Sequence, residues 1–437
     1  MGYSRNGMQR KKGYKRRQPM PSLHFSPAND QTGSDRRNDL ALTLTRTTTH
    51  DYWDSTGTFV TASAGNFAFP HTYNSATDTW EPDGWGVELA AENTCLQSRD
   101  FDTSPWAESG GGSVGLAQTA TGIDGVANTA WVFTDNSAAK SEGRQQAVTI
   151  ANDGATHVTK FHVMKDSDTT RFPLVGVQYS GGTSLTQFSH VDTQNGTLVD
   201  EGSSSDGTAT VIDRDLFWEV WMFMANNTTG NITATVFIHA ARGTVQGTQA
   251  NSATGSVTID QVDFFENTIT PAPSIITTAA AVTRNKDDMQ TADITWFRAD
   301  QGMFVIAWKA RSTTNSQVIF AVHDNSASDR IMAESDATEG IRWFMTDGSS
   351  DQIDADVNAT TADNVASKIA YGYKLNDSVA VDDGNAPVTD AACTIPTMTT
   401  FSVAQRYDET LQLGGSIAEI FYVRKRNSNS FAQTRSI

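Results

Sequence analysis

The stretch VIDRDLFWEVWMFMANNTTGNITATVFIHAA, residues 211–241, decides how this chain folds. From Phe217 to Met224 it crowds Trp218, Trp221 and Phe223 among Phe217, Met222 and Met224, a density that fits a strand buried on both faces rather than a binding surface. Ile232 to Ala240 is a second strand-like run, and the Asn, Thr and Gly residues between the two are the polar cluster at which a chain turns.

The same signals recur on either side. Leu40, Leu42 and Leu44 alternate with Ala41 and Thr43, and strand-like segments follow at Trp131 to Thr134, Val158 to Met164, Leu174 to Tyr179 and Val257 to Phe265. Asp153-Gly154, Asn195-Gly196 and Asp206-Gly207 supply turn residues that accept positive φ. Pro271 and Pro273 interrupt the pattern, and it resumes at Ile294 to Phe297, Phe304 to Trp308, Val318 to Val322, Ile341 to Met345, Lys368 to Lys374, Thr399 to Ala404 and Ile417 to Val423. Many short strands at this spacing predict an all-β protein of two β-sandwich, jelly-roll-type domains in tandem. The expected boundaries are a basic N-terminal arm over 1–38, a first sandwich over 39–267, a linker over 268–288 and a second sandwich over 289–437. Amphipathic helices, heptads and long repeats are not evident.

Length and composition agree with that division. A chain of 437 residues exceeds what one core usually holds, and 19% charged residues is below the globular average, with Thr, Ser, Asn and Gly filling the gap. No apolar run reaches the roughly 18 residues of a membrane span, and the basic N-terminus lacks the apolar stretch of a signal peptide, so a soluble protein without a secretory address is expected. Cys95 and Cys393 read as free thiols. The net charge is -18, yet Arg5, Arg10, Lys11, Lys12, Lys15, Arg16 and Arg17 fall within the first 20 residues with no acidic residue among them. A basic arm thus precedes an acidic body, which repels nucleic acid and anionic membrane surfaces; neither is expected as a partner of the body.

Catalytic signatures are scarce. There is no HExxH, P-loop or dinucleotide-binding glycine pattern, and Gly111-Gly112-Ser113-Val114-Gly115 meets G-x-S-x-G only in a glycine-rich loop of a β region, where no nucleophile elbow forms. His157 and His162, five apart on one strand, point to opposite faces. Asp100 with Asp102, Asp287 with Asp288, Asp351 with Asp354 and Asp356, and Asp382 with Asp383 are oxygen-rich pairs of the kind calcium uses, but none has EF-hand spacing. No metal, cofactor or catalytic residue is expected. Aromatic side chains are the remaining handle: Trp343, Tyr371, Tyr373 and Tyr407 could offer flat faces on which sugar rings stack, against the blander reading that they pack a core.

Several segments resemble bacteriophage and prophage head-spike, head-fibre and tail-fibre proteins. DLALTLTRTTTHDYWDSTGTFVTASAGNFAFPH from Asp39 is similar to the family's opening segment, and GWGVELAAENTCLQSRDFDTSPWAESGG from Gly84 to a block matched at Gly86, Glu88, Glu92, Ser98, Phe101 and Trp106. Asn93-Thr94-Cys95-Leu96 departs there from the usual T-N-L order. The stretches from Val211 and Val257 resemble closing strands and an exit linker, and SKIAYGYKLNDSVAVDDGNAP with GGSIAEIFYVRKR resembles a concanavalin-like, laminin-G-like sandwich. The resemblance implies a virion protein without catalysis of its own, located on the phage particle, with capsid, portal or tail proteins as partners. It does not account for the basic arm, whose charge makes Arg10, Lys11, Lys12, Lys15, Arg16 and Arg17 the expected anchoring contacts. Open sheet edges and the fibre analogy point to a homo-oligomer, with a trimer as the guess. Two other functions stay open: a host-surface glycan-binding module, and a depolymerase that would need two carboxylates about 5 to 9.5 Å apart in a cleft.

Overall fold

The computed structural model describes residues 23–25, 42–313, 315–336, 340–358 and 361–437. Among the described residues the chain is all-β apart from one short C-terminal helix, and its strands build two sandwiches. In the first, an eight-stranded sheet carries Gly115–Ala120, Ala130–Asp135, Gly255–Phe265, Thr156–Met164, Phe217–Ala225 and Thr208–Arg214 in spatial order, with Ala91–Asn93 and Val282–Arg284 joined at one side. It faces a six-stranded sheet ordered Leu198–Ser205, Leu185–Val191, Phe172–Ser180, Thr233–Gly243, Gly143–Thr149 and Ala107–Ser109. Every pairing in both sheets is antiparallel.

The decisive stretch folds as its sequence demands. On Phe217–Ala225, Trp218, Val220, Met222 and Met224 point into the first core with Phe161, Val163, Val175 and Val177. The alternate positions point outward, as a period of two requires. Phe217, Glu219 and Trp221 are buried as well and Phe223 is half-buried, because Phe217 packs with Trp53 and Phe59 and Phe223 packs with Ala272 and Ile275. Asn195-Gly196 makes its turn with Gly196 at φ +67, and a side chain there would meet the Trp218 ring at 2.5 Å.

The second sandwich stacks two seven-stranded sheets. One runs Leu23–Phe25, Gly415–Val423, Gln301–Ala310, Ala366–Lys374, Ser378–Asp382 and Val388–Asp390, and Trp85–Val87 also pairs with Gly415–Val423. The other runs Thr43–Thr45, Asp288–Thr291, Thr400–Val403, Gln317–His323, Arg330–Asp336, Gly340–Asp347 and Ser350–Asn358. Phe304 meets Phe320 across the interior at 4.7 Å between ring centroids, inside a core that also holds Trp296, Trp343, Tyr371 and Tyr422.

Strand pairing does not follow the expected linear boundaries. Thr43–Thr45 and Trp85–Val87, expected in the first sandwich, are strands of the second, and Leu42, Trp85 and Val87 sit in its core. Leu23–Phe25, expected in the arm, pairs with Gly415–Val423. Val282–Arg284, expected in the linker, pairs with Ala91–Asn93. Between these crossings, the hairpins His50–Trp53 with Phe59–Ala62 and His71–Asn74 with Thr79–Pro82 form two small sheets of their own. Gly84 shows why the passage is specific: at φ +102, a Cβ there would lie 2.2 Å from the Ile417 carbonyl oxygen, so only glycine lets Trp85–Val87 dock.

Two local expectations also change. Ile294 to Phe297 forms a turn instead of a strand, since the Asp293 carboxylate accepts from the Thr295 amide at 3.1 Å and the Asp293 carbonyl accepts from Trp296 Nε1 at 3.0 Å. Trp296 and Phe297 still reach the core. Asn429–Arg435 is helical, started by Ser428, whose hydroxyl accepts from the Phe431 amide at 3.2 Å, and seated by Ala432 against Met303, Val305 and Val381.

Candidate ligand cleft between the two sandwiches

The aromatic platform expected on the second sandwich is not on the surface. Trp343 is 1% exposed and Tyr371 and Tyr373 are 0% exposed, because all three occupy inward positions of strands that face one another across the core. The Trp343 and Tyr371 rings stack at 4.1 Å between centroids, and the Tyr373 hydroxyl donates to the Arg298 carbonyl at 2.8 Å. Tyr407 is half-buried elsewhere, beside Arg330, Arg406 and His323. These four residues therefore form no common site. Arg10, Lys11, Lys12, Lys15, Arg16 and Arg17 lie outside the described residues.

The acidic pairs are committed locally. Asp100 accepts from Thr103, Asp102 and Asp354 pair with Arg144 and Arg342, Asp383 accepts from the Lys368 amide, and Asp287 is part of a buried ion network. Among the described residues, no three His, Cys, Asp or Glu side chains converge as a metal would need. Ser113 donates to Glu108 at 3.0 Å. His157 packs between Tyr179 and Phe264 in the first core, whereas His162 faces out toward Trp53 and Phe59, so the two imidazoles do occupy opposite faces.

Polar chemistry gathers instead where the sandwiches meet. The Arg46 guanidinium donates to Asp287 at 2.6 Å with both side chains fully buried. The second Asp287 oxygen accepts from the Glu88 amide at 2.9 Å, and the Asp287 amide donates back to the Glu88 carbonyl at 3.0 Å. The Glu88 carboxylate lies 3.3 Å from His50 Nε2 and 3.7 Å from Arg284, and it pairs with Arg311, which reaches it from the second sandwich. On the outer face of the first sandwich, the register sets Lys160 opposite Trp221 and His162 opposite Glu219. Glu219 accepts from Arg214 at 2.7 Å and from Trp221 Nε1 at 2.6 Å, while Lys160 donates to the Ala272 carbonyl at 2.8 Å. Lys309 pairs with Asp83 and so ties the His71–Pro82 hairpin region to the second sandwich.

His50, Glu88, Lys160, His162, Glu219 and Arg311 line a cavity of about 90 Å³, walled also by Tyr52, Trp53 and Ser416. Trp221, Pro271, Arg311 and Asn364 continue from it into a larger cleft of about 560 Å³. Burial governs protonation here. It drives the His162 imidazole down to about 3, with Glu219 only partly opposing the shift, and it takes His50 well below its usual range, with Arg284 and Arg46 adding to the effect. Both rings are neutral at pH 7. Burial also lowers the Arg311 guanidinium to about 10, though it stays charged.

Neutral burial makes a signed prediction. Between pH 7 and 5 the unfolded chain protonates His162 near 6.5 while the folded chain, at about 3, does not, so this residue withdraws stability as pH falls. In guanidinium unfolding, the wild type should lose about 1–2 kcal/mol more than His162→Gln over that interval. Parallel losses in the two proteins would show that the ring does not resist protonation.

The sequence had a signal for this site that residue-type motifs do not capture. Glu219 interrupts an otherwise apolar strand, and Lys160 and His162 alternate with Phe161 and Val163, which predicts buried partners without naming them. His50, Glu88 and Arg311 gave no such cue, since they come together only when the N-terminal hairpins cross the junction.

No family model matches this chain. No curated protein matches it either. Among solved structures, the Ruminococcus gnavus IT-sialidase CBM40 bound to alpha2,3 sialyllactose is 17% identical with a TM-score of 0.29, over 32% of this chain and 83% of that one. Mouse laminin alpha1 chain domains LG4-5 are 12% identical with a TM-score of 0.22, over 77% and 88%. A xylan beta-1,4-xylosidase from Bacillus halodurans is 8% identical with a TM-score of 0.21, over 87% and 98%.

Proposed function

We propose that this chain is a non-enzymatic structural protein of a bacteriophage particle, a fibre, spike or decoration on head or tail, anchored through Arg10, Lys11, Lys12, Lys15, Arg16 and Arg17. The observation that carries the reading is the weld between the sandwiches. One N-terminal stretch supplies strands to the second sandwich and hairpins over the first, and a buried ion network closes the seam. Such a body suits a part that must project and bear contacts without flexing between its halves. The basic segment would leave it next to Leu23–Phe25 at the rim of one sheet. Among the described residues Ser350–Asn358 and Leu198–Ser205 end their sheets, and their edges would serve neighbouring copies in a homo-oligomer, with a trimer the simplest fibre arrangement. The resemblance of the sequence to phage spike and fibre proteins supplies the particle.

Imaging particles that carry the full-length chain or a version lacking residues 1–20 tests this. Density present with the first and lost with the second supports anchoring by the basic segment. Density retained by the truncated chain transfers the anchoring to the sandwiches, and density from neither removes the protein from the particle.

A further inference from the structure

We propose that the junction cavity binds the terminal ring of a neutral saccharide, with the rest of the glycan lying along the adjoining cleft. The inference does not depend on the protein belonging to a phage particle, and it moves glycan recognition away from the buried aromatics of the second sandwich. Three features of the site lead to it.

First, the cations in the wall are already paired or held, and the one carboxylate there outside these pairs, Asp51, accepts from the Thr61 hydroxyl at 2.5 Å. Arg214 pairs with Glu219, Lys309 with Asp83 and Arg311 with Glu88, while Lys160 is held by the Ala272 carbonyl and lies 3.6 Å from Asp263. An anionic ligand would enter without a free counter-charge and would have to break one of these pairs. Second, the polar atoms left over are neutral. Neither nitrogen of His162 has a hydrogen-bond partner, and neither does the Ser416 hydroxyl, although the two residues are 0% and 2% exposed. Buried donors and acceptors of this kind are normally satisfied, so their positions on the cavity wall mark where a bound molecule contributes hydrogen bonds. A neutral imidazole offers one donor and one acceptor, and a serine hydroxyl offers either, which matches sugar hydroxyls. Third, Tyr52, Trp53 and Trp221 add aromatic carbon to the wall, and the shared border with the 560 Å³ cleft gives a second and later unit somewhere to go.

The test uses the full-length protein with methyl β-D-glucoside, methyl β-D-galactoside and methyl N-acetyl-β-D-glucosaminide, and with glycerol and sodium sulfate as the competing chemistries. Saturation-transfer NMR identifies binders, and titration gives their Kd. At least one hexoside should bind at roughly millimolar strength, weakened about tenfold by Ser416→Ala and abolished by His162→Phe, with unfolding midpoints recorded for each variant. Ser416→Ala removes one oxygen and keeps the question answerable if His162→Phe does not fold. The proposal fails if no hexoside binds at about 10 mM, if Ser416→Ala leaves the Kd unchanged, or if sulfate or glycerol binds as well as the sugars.

Discussion

Replacing Asp287 by alanine is expected to destabilise the protein by about 3–5 kcal/mol, because it strips the counter-charge from a buried guanidinium. Arg46 and Asp287 are both fully buried, and Arg284 and Arg311 stand around the same cluster. Without Asp287, Arg46 would lose its carboxylate partner, and the Glu88 amide would lose its acceptor. Burial pushes the Asp287 carboxyl up, and the Arg46 and Arg284 guanidinium groups offset part of that cost. The control is the exposed pair of Lys286 and Glu409, 3.1 Å apart, where Glu409→Ala should cost less than about 1 kcal/mol. Guanidinium unfolding of the two variants checks the contrast. Equal shifts would mean that the seam network contributes no more than a surface ion pair.

Trp343→Ala should cost a similar amount, about 3–5 kcal/mol, since it removes a large side chain from a closed core and leaves a cavity beside Tyr371. Trp343→Phe should be far milder, because Trp343 Nε1 has no hydrogen-bond partner to lose. Were Trp343 a sugar platform instead, alanine would abolish binding and leave the unfolding midpoint nearly unchanged. Thermal unfolding of both variants separates these outcomes. A midpoint within a degree or so of wild type for Trp343→Ala would overturn the core assignment.

Strand positions were legible because they rest on short-range alternation. Phe217 to Met224 declared burial on both faces, and Val158 to Met164, Phe304 to Trp308 and Ile417 to Val423 all lie within strands of the fold. The assignment of strands to sandwiches was not legible. Thr43–Thr45 and Trp85–Val87 carry no mark of the partners that they find more than 200 residues away, and the boundary expected near residue 39 placed both in the wrong sandwich. Ile294 to Phe297 has the apolar residues of a strand, but Asp293 turns the backbone there.

The candidate site divides along the same line. Trp343, Tyr371 and Tyr373 were singled out by residue type, yet inward or outward direction depends on which sheet covers a strand, and a facing sheet covers these. Lys160 and Glu219 match no motif and were not singled out, and the partners of Lys160, His162 and Glu219 come from the linker, the hairpins and the neighbouring strand. The sequence by itself determined an all-β chain, an acidic body behind a basic N-terminus, and a strand buried on both sides. Only the tertiary structure decided which sandwich each N-terminal strand joins, which aromatics are hidden, and where unspent polar groups converge. Alternation is written in neighbouring residues, whereas pairing and burial are set by contacts between segments far apart along the chain.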